Sequence, residues 1–174
     1  MSIEWYEELR EANRPKRIKV LLIAESPPDP GAAQRRFFYS PILLIDNLYR
    51  GVAEAVYGEN PDFAVEGKEQ VLQSLRRDGF WLLDAVRTPI NKMKIPARRR
   101  AIRENRDALI TKCRELEPER GVIICHGMVY DEVAMQLREA GIYVMHNRPL
   151  PFPLGNWRKT FIDGFRNALR SSRA

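Results

Sequence analysis

The chain has 174 residues, 44% of them hydrophobic, 30% charged and 9% aromatic, a balance that suits one folded domain over residues 1–174 and excludes a disordered or collagen-like chain. No apolar run reaches the roughly 20 residues needed to cross a bilayer, and Glu4, Glu7, Glu8, Arg10 and Glu11 stand where a secretory signal would be apolar; a cytoplasmic monomer with no membrane partner is expected. Two cysteines, Cys113 and Cys125, are too few for a disulfide framework or a four-cysteine metal or iron–sulfur site, while 29 basic against 23 acidic residues, with a pI of 9.5, point to a polyanionic partner.

In chain order, Ile18 to Ala24 forms the first short apolar run, of a length suited to a buried strand. Ser40-Pro41 reads as a cap with proline at the first helical position, after which Leu44, Leu48, Val52 and Val56 recur every four residues. A shorter helix from Glu66 to Arg77 closes at Asp78-Gly79 and leads into a second strand, Phe80 to Leu83. Between Lys92 and Arg106 lie seven basic residues against Glu104 alone, either a solvated helix face or a phosphate-contacting patch. One helix starts near Ala97, sets Ile102, Leu109, Cys113 and Leu116 along one stripe, and ends at Pro118 and Gly121. Val122 to Cys125 and Ile142 to Met145 supply a third and a fourth strand, with helices at Gly127 to Ala140 and Gly155 to Leu169 and a second basic stretch from Arg158 to Arg173. Strands alternating with helices predict an α/β layered domain around a four-stranded parallel sheet with right-handed crossovers.

Ligands of open parallel sheets sit beyond the carboxyl ends of the strands. The residues there are Glu25, Asp84, His126 and His146, which include both histidines of the chain. The first strand runs into the stiff loop Ala24-Glu25-Ser26-Pro27-Pro28-Asp29-Pro30-Gly31, soon followed by Arg35-Arg36-Phe37-Phe38-Tyr39. The second ends in Asp84-Ala85-Val86-Arg87-Thr88-Pro89, and the last in His146-Asn147-Arg148-Pro149-Leu150-Pro151-Phe152-Pro153, before Gly155-Asn156-Trp157.

In that order these segments resemble the uracil-DNA glycosylase superfamily over Ile18 to Leu169. Its members carry a Gly-Glu-Ala-Pro-Gly type motif after the first strand, an aromatic that stacks on the extruded base, an Asn near the end of the second strand and a His-Pro-Ser motif opening a loop that enters DNA. Here Ala24, Ser26 and Pro28 alter the first motif, Asp84 stands at the Asn position, and Asn147-Arg148 follows the histidine. The resemblance implies a three-layer α/β/α sandwich, a branch without an iron–sulfur cluster, and excision of a deaminated or modified base from DNA. It also implies catalytic roles for Glu25 and His146, base contacts from Phe38 (or Phe37) and Asp84, and DNA contacts from Pro27, Pro28, Arg148, Leu150 and Phe152. The basic run, read by its charge, adds Arg98 and Arg99 as DNA contacts.

The residues themselves fit that chemistry. Breaking a base-to-deoxyribose bond leaves positive charge on the sugar and negative charge on the base, which calls for a carboxylate on one side and a donor on the other. Glu25 positions or deprotonates water, or stabilises the cationic sugar, unless it only caps a neighbouring loop. His146 donates to the base oxygen, unless it serves loop carbonyls. The two are expected in one cleft. Phe38 or Phe37 supplies the stacking surface unless the pair belongs to the core, and Leu150 or Phe152 supplies a wedge unless the loop packs on the sheet. Asp84, acceptor-only when ionised, reads donor-bearing base edges, unless it turns to the Arg87-Thr88 loop or a basic neighbour. His126 is left outside catalysis, as a partner of local backbone groups before a helix start at Gly127 that could admit a phosphate. No His-x-x-x-His pair and no phosphate-binding glycine loop occur, so neither metal nor cofactor is expected. Two rivals keep the pocket: a non-catalytic nucleic-acid or nucleotide-binding module of the same fold, and a hydrolase of small nucleosides.

Overall fold

The computed structural model describes residues 3–28, 37–41, 46–60 and 67–171. Asp29, Pro30, Gly31, Arg35, Arg36, Leu44 and Glu66 lie outside them. The described residues form an α/β fold with three strands, β1 (Val20–Ala24), β2 (Phe80–Asp84) and β3 (Gly121–Ile124), and seven α-helices. These are α1 (Ile3–Ala12), α2 (Asn47–Tyr57), α3 (Lys68–Arg77), α4 (Ile95–Glu104), α5 (Arg106–Leu116), α6 (Gly127–Glu139) and α7 (Arg158–Arg170). None of the helices is long and apolar enough to cross a membrane.

All three strands are parallel, in the order β2-β1-β3. Each is apolar at nearly every position because both faces are covered, and Leu21, Ile23, Ile123 and Ile124 are wholly inaccessible. The chain goes from β1 outward to β2, then back past β1 to β3. With right-handed connections that reversal sends α2 and α3 to one face and α4 and α5 to the other, in keeping with the packing of α2 on α7 and of α4 on α6.

The expected fourth strand is not formed. Ile142 to Met145 lies parallel to β3 but makes a single bridge, Val122 to Val144, through the bonds Val122 N–H to Tyr143 O (2.8 Å) and Met145 N–H to Val122 O (2.9 Å). The next rung would run from Ile124 N–H to the Met145 carbonyl. His146 takes it instead: its Nε2 accepts the Ile124 N–H at 2.9 Å. Gly121 has a φ of 126°, and a Cβ there would collide with the Tyr143 carbonyl, so glycine lets this segment approach β3. The opposite edge is closed in the same manner, since the Leu82 N–H of β2 donates to the Tyr39 hydroxyl (2.7 Å) and the Leu82 carbonyl accepts from Arg10 Nη1 (2.7 Å).

Two helices differ from expectation. The helix anticipated from Ser40 begins at Asn47, capped by the Asp46 side chain, which accepts the Tyr49 N–H at 2.7 Å. The long helix from Ala97 is broken at Asn105, whose side-chain amide donates to the Ala101 carbonyl (2.8 Å), ending α4, while its own carbonyl accepts the Leu109 N–H in α5. A third, α1, was not anticipated at all; it docks beneath β2, with Trp81 Nε1 donating to the Arg10 carbonyl at 2.9 Å.

Candidate active site

A cavity of about 300 Å3 opens beyond the carboxyl ends of β1 and β3, the pair of neighbouring strands at which the connections reverse. Ala24, Leu82 and Cys125 contribute apolar lining, Phe37, Phe38 and Phe152 aromatic lining, and Glu25, Asp84, Arg98 and His126 charged or polar groups. Burial pushes the Cys125 thiol far up from its ordinary value, so it stays protonated and offers no nucleophile.

Glu25 sits immediately after β1. The pairing of β1 with β2 continues past the strand ends through Ala85 N–H to Ala24 O (2.8 Å) and Val86 N–H to Glu25 O (2.9 Å), which fixes the backbone beneath the carboxylate. The following loop is tied by the Tyr6 hydroxyl donating to Pro28 O (2.5 Å) and by Ile90 N–H donating to Ser26 Oγ (3.3 Å). Pro27 is buried, and Pro28 lines the cavity. The Glu25 side chain, 9% exposed, receives a two-pronged grip from Arg98, with Nη2 at 2.8 Å from both carboxylate oxygens and Nε at 3.0 Å from Oε2.

The imidazole facing Glu25 belongs to His126, not His146. His126 caps α6: its Nδ1 accepts the Met128 N–H at 3.2 Å, which in the neutral ring leaves the proton on Nε2. That nitrogen lies 3.9 Å from Glu25 Oε2, and the Phe152 ring centre is 5.9 Å from the imidazole. Burial lowers the His126 pKa below the ordinary 6.5, with Glu25 opposing and Arg98 and Arg99 adding to the fall. A neutral Nε2–H donor therefore faces the cavity.

His146 is spent on the fold. Besides accepting from Ile124 it donates from Nδ1 to the Arg148 carbonyl at 2.8 Å, and it lines a different cavity, together with Arg148 and Leu150. The expected shared cleft with Glu25 is not found. Burial lowers its pKa, the Arg148 carbonyl opposing. Both histidines are held neutral in the folded protein, so the unfolded chain binds protons more readily; the resulting stability is present above pH 6.5 and drains away as pH falls below it. His146→Ala strands the Ile124 N–H and should lower stability by about 1–3 kcal/mol. In urea titrations from about pH 7 to about pH 5, its loss of stability on acidification should be shallower than in the wild type. An unchanged urea midpoint would refute the role of the ring as a strut.

Other anticipated residues divide. Phe37 and Phe38 reach the cavity but are 2% and 4% exposed and packed edge-on against Tyr39, so they are core and wall at once. Asp84 lines the cavity while holding a basic neighbour, Arg10, whose Nη2 donates to Oδ2 at 2.7 Å. Burial pushes the Asp84 carboxyl up against the pull of Arg10; burial works against the Arg10 charge, yet Asp84 more than restores it. Leu150 is no wedge. It is buried against α7, where a Cβ on Gly164 would meet its Cδ2 at 2.5 Å. Arg98 turns inward to Glu25, and Arg99 to Glu132 Oε1 at 3.0 Å, where Arg103 also converges at 3.2 Å. The anticipated phosphate contacts would have to compete with these ion pairs. Arg148 is exposed.

No family model, curated protein or solved structure matches the chain. Among the described residues no group of three or more His, Cys, Asp or Glu side chains could hold a metal ion. Three participants are hidden in the sequence: His126 as the facing imidazole, Arg98 as the partner of Glu25, and Arg10 behind Asp84. A His-Gly pair at a strand-to-helix turn was the one visible sign of the first; the other two depend on contacts more than seventy residues apart in the chain.

Proposed function

We propose that the protein is a DNA glycosylase of the uracil-DNA glycosylase type, a three-layer fold that hydrolyses the N-glycosidic bond of a deaminated or modified base. The observation that carries this reading is a buried carboxylate at the tip of the central strand, sharing a cavity with a neutral imidazole donor and aromatic walls. Its volume is at the low end for small-ligand pockets and suits one extruded base. In the reaction the bond from C1′ to the base nitrogen breaks, water oxygen bonds to C1′, and the departing base gains a proton. Glu25 serves the sugar side, either holding the water or offsetting the charge on the sugar. His126, rather than His146, takes the donor role, with Nε2–H directed at the charge that develops on the base.

One observation favours the rival binding module: Arg98 occupies both oxygens of Glu25. Incubation with oligonucleotides carrying uracil, hypoxanthine or xanthine, followed by alkali, separates the two. Strand breaks at the modified base are expected. Tight binding of the modified oligonucleotide without breaks would assign the site to sensing and overturn the enzymatic reading.

A further inference from the structure

Five of the seven large apolar side chains exposed among the described residues fall in two segments, Met93 and Ile95 in one and Phe152, Leu154 and Trp157 in the other. Both segments meet the cavity, which Asn91 and Phe152 line. Trp157, 60% exposed, ends a 3₁₀ turn that starts at Gly155 with a φ of 56°. No acidic residue occurs between Asp84 and Glu104, or between Glu139 and Asp163. The same stretches expose Lys94 and Arg100 on one side and Arg148 on the other.

Exposed cations interleaved with water-facing apolar and aromatic side chains suit a polyanion whose bases are open to stacking. A duplex keeps its bases stacked and offers apolar side chains a single gap to fill. Of the two wedge candidates, Leu150 is buried and Phe152 stands in the cavity wall beside His126. We infer that an unpaired nucleic-acid strand lies across the cavity mouth, with Trp157 stacking on a base adjacent to the one in the cavity. This rests on the glycosylase reading for what enters the cavity, and otherwise on the surface alone.

The test is fluorescence anisotropy of the full chain with a labelled, unmodified single-stranded oligonucleotide and the corresponding duplex over a range of salt concentrations. The single strand should bind at least about tenfold more tightly than the duplex. Trp157→Ala should weaken it about tenfold with the salt slope unchanged, and Lys94→Ala should flatten that slope by about 0.7 for one lost phosphate contact. Both side chains are exposed, and circular dichroism checks the fold of each variant. Equal or tighter duplex binding, an unaltered Trp157→Ala variant, or binding to phosphatidylserine vesicles in place of the strand would overturn the inference. Because that oligonucleotide carries no modified base, such failure leaves the glycosylase reading intact. Strand binding as expected, with no abasic site formed from a uracil-containing strand or from those with other altered bases, overturns the glycosylase reading alone.

Discussion

Glu25→Gln is expected to lower base release by at least about a hundredfold, the scale of losing one acid–base or charge-stabilising partner. Glutamine keeps the shape of the side chain and can still accept from Arg98, but it removes the negative charge that serves the sugar or its attacking water. The Arg98 side chain is 21% exposed, so its uncompensated charge can turn to solvent and the fold should persist. His126→Ala should fall on a similar scale by removing the donor on the base side. His146→Ala, once folded, should retain activity, because its ring nitrogens are committed to Ile124 and Arg148. Single-turnover release of the base, with circular dichroism on each variant, distinguishes these outcomes. Wild-type rates from Glu25→Gln, or loss of activity in a folded His146→Ala, would overturn the assignment.

The largest stability loss is expected from Arg10→Met, about 3–5 kcal/mol, the cost of breaking a buried ion pair from one side. Arg10 is 3% and the Asp84 side chain 4% exposed, so methionine fills much of the volume but leaves a carboxyl group in an apolar setting and the Leu82 carbonyl without its donor. Adding Asp84→Asn should recover part of the loss, because the amide tolerates burial better than an orphaned carboxylate. Urea unfolding of both single variants and the double variant measures this coupling. Additive losses would show that the pair is not a unit, and an unchanged Arg10→Met midpoint would show that Arg10 is dispensable.

The strands were legible because burial on both faces demands continuous apolar runs, and three of the four runs pair as strands. Their endpoints also put Glu25, Asp84 and His126 at the cavity. Strand order was not legible, and it decides which histidine matters: with β3 beside β1, His126 faces Glu25, while His146 lies one position further out. Charge pairing was hidden for a related reason. Arg10 reads as one of the charges that stand where a secretory signal would be apolar until α1 docks beneath β2, and the α4 arginines read as a solvated face or a phosphate patch until Glu25 after β1 and Glu132 on α6 meet them. The Asn105 break is local, but it too depends on whether the amide turns back to Ala101 or out to water.

Small parallel sheets are exposed to templating, in which a strand from another molecule adds to a free margin. In this sheet, His146 interrupts the row of backbone groups at one margin, and Arg10 with Tyr39 satisfies both groups of Leu82 at the other. An incoming strand would have to displace these side chains to gain the rung at Ile124 or at Leu82. The same residues that complete the fold thus discourage its self-propagation, and substitutions at Arg10 or His146 should favour ordered aggregates as well as lower stability.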